Sequence, residues 1–164
     1  MPLQLPLVSL AAEHLVMAYL LRRNIPTYKA PPNNEGYDLI CVNPNAPRGR
    51  RLLRIQVKSR YATDGDGTLP IKEASFGAFE FLAAVLMNIG RFYESDVQPP
   101  QGREQPEILI IPASVARRYY RKVASGFNKL YTGNIDRTLY GAEPGVELVA
   151  RALRIPYPRR PHKR

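Results

Sequence analysis

The segment Arg54-Ile55-Gln56-Val57-Lys58 alternates apolar and polar side chains, and this period of two constrains the fold more than any other stretch of the chain. Successive side chains of a strand point to opposite faces of its sheet. Ile55 and Val57 therefore need a core to cover them, while Gln56 and Lys58 put an amide oxygen and an amine on the other face. A carboxylate that can join them is offered by a second short apolar run, Gly36-Tyr37-Asp38-Leu39-Ile40.

The order of elements narrows the architecture further. Residues 9–23 are expected to form a helix: Leu10, Leu15, Ala18, Tyr19 and Leu21 recur at near-helical spacing. Ser9 is its expected N-cap, Arg22 and Arg23 suit its C-terminal dipole, and Asn24 and Pro26 stop it. Strands are expected over 25–30, 37–42 and 52–59, separated by Pro31-Pro32-Asn33-Asn34 and by an Asn- and Pro-rich hairpin connection over 43–49. Residues 61–75, with Asp64-Gly65-Asp66-Gly67, read as a mobile loop leading into further short structure, and the motif lacks the later glutamate of a calcium-binding hand. Residues 79–88 suit a buried strand or a core helix, and a strand is preferred. After a polar loop over 95–106, residues 107–111 read as a central strand, 112–124 as a helix with Pro112 in its first turn, and 146–153 as a last short helix. A helix followed by strands points to α+β or mixed α/β. At 164 residues the chain fits a single domain over 1–155. A basic C-terminal arm follows over 156–164, where Arg159, Arg160, Lys163 and Arg164 meet no acid.

The charge balance points to a partner. With 24 Lys and Arg against 14 Asp and Glu, the net charge is +10, which favours a polyanion, nucleic acid before an anionic membrane. Cys41 stands alone, which excludes an internal disulfide framework and a zinc knuckle and suits an intracellular, cytoplasmic protein. No secretory signal is visible at the N-terminus. The longest apolar stretch, 79–89, is broken by Glu80 and Asn88 and is far shorter than the ~20 residues of a membrane span.

Together these motifs resemble the PD-(D/E)xK nuclease superfamily, in its resolvase-like and homing-endonuclease-like branch. The resemblance rests on a helix with Ala12-Glu13-His14-Leu15, the aspartate of Gly36-Tyr37-Asp38-Leu39, a hairpin to the QxK variant Gln56-Val57-Lys58, and later strands around Phe79-Glu80-Phe81-Leu82 and Ile110-Ile111-Pro112. It implies a restriction-endonuclease-like α/β fold, a mixed β-sheet flanked by helices with an αβββαβ-like core order. It also implies a Mg2+-dependent endonuclease, with Mn2+ as a substitute, that hydrolyses phosphodiester bonds. By position, Asp38 and Gln56 would ligate the metal, Glu13 would match the helix-borne glutamate that joins them, and Lys58 would stabilise charge or orient water. The implied partner is DNA, with RNA as the other polyanion, and cutting both strands implies a homodimer or higher homo-oligomer.

The chemistry is consistent with those residue types. A phosphodiester transition state gathers negative charge on its oxygens, which a hard cation in an oxygen cage and a nearby ammonium both stabilise. Gln56 is a departure, since it ligates without contributing charge, and a binding-only protein of the same fold is the alternative. Plain structural roles also exist: Glu13 as a solvated helix residue, Asp38 as a turn acid, Gln56 and Lys58 as the wet side of an edge strand. Arg48, Arg50, Arg51 and Arg54 are candidates for gripping phosphates. His14 reads as structural or incidental, and Tyr119 or Tyr120 as core.

Overall fold

The alternating segment falls, as its period requires, in the middle strand of a sheet. In the computed structural model, which describes residues 7–46, 52–60, 68–88, 105–123 and 128–157, the strands are β1 (Thr27–Lys29), β2 (Leu39–Val42), β3 (Leu52–Arg60), β4 (Thr68–Pro70), β5 (Phe81–Leu86), β6 (Glu107–Pro112), β7 (Tyr120–Arg121) and β8 (Lys129–Tyr131). The helices are α1 (Leu7–Arg22), α2 (Ala113–Tyr119), α3 (Arg137–Tyr140) and α4 (Ala142–Leu153). A five-stranded sheet runs β1-β2-β3-β5-β6, and a three-stranded sheet runs β4-β8-β7. In the larger sheet only β3 and β5 are parallel, so it is mixed, as expected.

The two faces of that sheet carry separate cores. Ile55 and Val57 join Leu39, Cys41, Ala83 and Ile110 under Ala12, Val16 and Leu20 of α1 and Val146, Val149 and Leu153 of α4. On the other face Leu82, Ala84, Leu109 and Ile111 pack against Leu69 of β4, Phe76, Ala116 of α2 and Leu130 of β8. Covered on both sides, β5 is buried over Phe81 to Val85, which explains its unbroken apolar run. The preference for a strand there holds.

Several boundaries differ from the expectation. The first helix already runs from Leu7, so Ser9 is an exposed helical residue and not its cap. Its end is as expected: Asn24 takes a left-handed φ of 60° and Ile25 N–H returns to the Leu20 carbonyl at 3.1 Å. The helix expected over 112–124 stops at Tyr119, and Tyr120 turns into β7, where its ring meets Phe76 edge-on at 5.4 Å. The stretch expected as a loop over 61–75 contains β4 and the start of a 3-10 turn, Glu73–Gly77, in its described part. These, rather than an α-helix, occupy the described part of the crossover from β3 to β5, and α2 follows β6 instead. The last helix begins at Ala142. Tyr157, within the expected arm, still packs on the domain through a 2.9 Å hydrogen bond to Glu143. Residues 158–164, the Asp64–Gly67 motif, Arg48, Arg50 and Arg51 lie outside the described residues.

Candidate active site

Asp38 is placed by an irregularity of the backbone. Leu39 pairs with Ile55, yet the Asp38 N–H also donates to the Ile55 carbonyl, at 2.9 Å, so two residues face one across the ladder. That count is a β-bulge, a device that re-aims a side chain. The Asp38 carboxylate accordingly lies along β3, where Oδ2 accepts the Val57 N–H at 2.6 Å. It touches the peptide that joins Gln56 to Val57, and among the described residues its other oxygen has no hydrogen-bond partner. The approach to the bulge needs glycine: Gly36 has φ +95°, and a Cβ there would fall 2.4 Å from Ala78 Cβ.

Gln56 and Lys58 leave β3 on the face opposite Ile55 and Val57, as their alternation requires. Gln56 is only 6% exposed, and its buried Oε1 has no hydrogen-bond partner among the described residues. Lys58 is half-buried, and no described residue pairs with its ammonium. An orphaned amide oxygen and an amine unpaired among the described residues therefore share one face of β3, and the Asp38 carboxylate meets the same strand at the Val57 N–H. The two oxygens are of the kind a hard divalent cation takes. Their one negative charge suits an ion that keeps most of its water. Among the described residues no three His, Cys, Asp or Glu side chains are grouped to hold a metal.

Glu13 lies on the helix side of the sheet. It projects from α1, which packs on the opposite core, and forms an ion pair with Lys29 of β1. Its side chain is only 15% exposed. Lys29 pairs in register with Leu39, next to Asp38, so Glu13 reaches the same end of the sheet but from the helix side. His14 makes a local contact within α1, its Nδ1 lying 3.0 Å from the Leu10 carbonyl.

One neighbouring pair escaped the sequence reading. Glu80, just before β5, accepts from Arg54 three times: from N at 2.7 Å, Nη2 at 2.6 Å and Nε at 3.3 Å. The Arg54 guanidinium also lies 5.7 Å from the Tyr37 ring centre. Burial pushes the Glu80 carboxyl up, but the bonds from Arg54 outweigh it and hold it below the ordinary range. Arg54 is thus committed to a neighbour and is not a loose phosphate grip. A lone acid inside an apolar run was the available signal, because such a charge needs a partner.

No family model matches the chain, and no curated protein sequence matches it. Among solved structures its fold is similar to that of a bacterial homing endonuclease, I-Ssp6803I, with a TM-score of 0.53. Identity is 18%, and the match covers 88% of this chain and 90% of that one. The likeness is one of fold.

Proposed function

We propose that this protein is a metal-dependent endonuclease of the PD-(D/E)xK type that hydrolyses phosphodiester bonds in DNA. The observation that carries the reading is the buried Oε1 of Gln56, without a hydrogen-bond partner among the described residues, on the strand whose next N–H, that of Val57, is taken by the Asp38 carboxylate. A buried acceptor without a donor is destabilising by about 1–3 kcal/mol, so folding alone gives no reason to keep one. Similarity to a homing endonuclease fold and a net charge of +10 both favour DNA as the partner.

In this reading Asp38 and Gln56 would hold Mg2+, for which Mn2+ would substitute. The ion supplies charge neutralisation at the phosphate and a more acidic water. Asp38 is held in place by the Val57 N–H, so its ligating oxygen is pre-aimed. Lys58 places its ammonium where negative charge grows on the phosphate. Glu13 would share its charge between the site and its ion pair with Lys29. Two copies of the chain would supply the two sites that a double-strand cut requires.

A second reading is favoured by Gln56 standing where the motif has a carboxylate: a nuclease-fold protein that binds nucleic acid without cutting it. Incubating supercoiled plasmid with the protein and Mg2+ or Mn2+ separates the two. Nicking or linearisation that disappears in Lys58→Ala, with an unchanged melting temperature, is the expected result. Cutting that persists in Lys58→Ala refutes the site, and retained plasmid binding without any cutting favours the second reading.

A further inference from the structure

The three-stranded sheet has one buried and one open face. Leu69, Leu130 and Tyr120 stand opposite one another across β4, β8 and β7 and pack into the second core. Pro70, Lys129 and Arg121 stand opposite one another in the next row and therefore face outward. Tyr131, 42% exposed, lies two residues from Lys129 on that same face. Lys72 continues the outward series of Pro70 in extended conformation, with φ −80° and ψ 132°.

This face carries charge that the fold does not use. Arg121 and Lys129 are directly opposite on adjacent antiparallel strands, and like charges so placed are destabilising. No described carboxylate pairs with Lys72, Arg121 or Lys129. Glu73, a nearby acid, is taken by Lys122 at 2.7 Å. Arg121 is also held in place, since its Nη1 donates to the Arg118 and Tyr120 carbonyls, both at 2.8 Å. A fixed guanidinium beside an unpaired ammonium, with an exposed tyrosine at the margin, is complementary to a line of phosphates. The sheet is tied to the candidate site, because Arg60 at the end of β3 donates to the Thr68 carbonyl at 2.7 Å.

We infer that the outer face of β4-β8-β7 is a docking surface for the phosphate backbone of duplex DNA, with Lys72, Arg121 and Lys129 as its contacts. The inference rests on the nuclease reading only for its choice of DNA. It concerns binding alone, and its test is run without cutting. Anisotropy of a labelled duplex of arbitrary sequence is measured with full-length protein in EDTA over a salt series. The triple variant Lys72→Gln, Arg121→Gln, Lys129→Gln is compared with Arg22→Gln, Arg151→Gln, Arg154→Gln, which removes the same charge from α1 and the α4 end. The log–log salt slope is expected to fall by about 3 units in the first triple, close to one for each phosphate that is no longer neutralised, and to hold in the second. An unchanged slope in the first triple overturns the inference. An equal fall in both does too, as an effect of net charge, and so does weaker binding to anionic phosphatidylserine vesicles with DNA binding intact. A protein that shows the expected slopes but cuts no plasmid retains this surface and loses the nuclease reading. One that cuts plasmid with unchanged slopes does the reverse.

Discussion

Replacing Gln56 with Met should make the protein more stable and abolish its response to divalent ions. The side chain is 6% exposed, and its Oε1 has lost water without gaining a donor. Such an orphan is destabilising by about 1–3 kcal/mol. Met has nearly the same length and volume, so it fills the space without a cavity, and swaps that conserve volume lose little. The net gain is about 1–2 kcal/mol in EDTA. For a chain of this size each kcal/mol moves the melting temperature by about 2–4 °C, so a rise of about 2–8 °C is expected by circular dichroism or calorimetry. Adding millimolar Mg2+ or Ca2+ should then raise the melting temperature of the wild type by ligand linkage and leave the variant unmoved, because a thioether is a poor ligand for hard cations. A lower melting temperature for Gln56→Met in EDTA would refute the reasoning, since it would mean that the amide is satisfied in the folded protein.

Three further perturbations test the scaffold. Glu80→Gln should lose about 1 kcal/mol at neutral pH, a value discounted because the Arg54 pair is about one third exposed. Because the folded-state carboxyl is held low, this stability is fully present above the unfolded value of about 4.3 and is lost as pH falls through the folded one, so urea titrations of wild type and variant should converge in acid. Gly145→Ala would place a Cβ 2.6 Å from Ile110 Cβ and 2.8 Å from its carbonyl oxygen, and prying α4 from β6 should lower stability by about 1–3 kcal/mol in thermal melts. Asn43→Ala removes the 2.7 Å bond from Nδ2 to the Leu153 carbonyl and the 2.9 Å bond that Oδ1 accepts from Asn45; a loss of about 1–3 kcal/mol in denaturant titration is expected, and none would mean that water replaces the amide.

What could be read from the sequence was what is local and periodic. Alternation placed β3, the unbroken apolar runs placed β5 and β6, and helical spacing placed α1, because each pattern is the direct imprint of burial on a fixed repeat. Tertiary pairing decided the rest. The Arg117-to-Lys122 run has helical composition throughout, but the Tyr120 ring packs on Phe76 and its backbone pairs with Leu130, so the helix gives way to a strand. β4 hides in a polar stretch because its three residues pair with a strand some sixty residues later. The bulge at Asp38 left no pattern, since it is defined by which carbonyl of β3 receives its N–H. Arg54 has the composition of a phosphate contact, and only the fold brings Glu80 close enough to hold it.

The four residues expected at the site are unequal probes of it, because they are bound to the fold to different degrees. Asp38 is tied to the fold, because its carboxylate satisfies the Val57 N–H. Asp38→Ala would leave that N–H without its acceptor, a loss of about 1–3 kcal/mol that by itself can disturb β3. Lost activity there would not distinguish ligation from folding, whereas Asp38→Asn keeps an acceptor and removes the charge. Glu13 is likewise compromised, since its removal takes away the ion-pair partner of Lys29. Lys58 is bound to nothing described, and its truncation releases a half-buried charge instead of breaking a hydrogen bond. A loss of cutting in Lys58→Ala at unchanged stability and unchanged DNA binding therefore has a chemical explanation, which makes it the substitution that decides between a nuclease and a protein that merely has the fold of one.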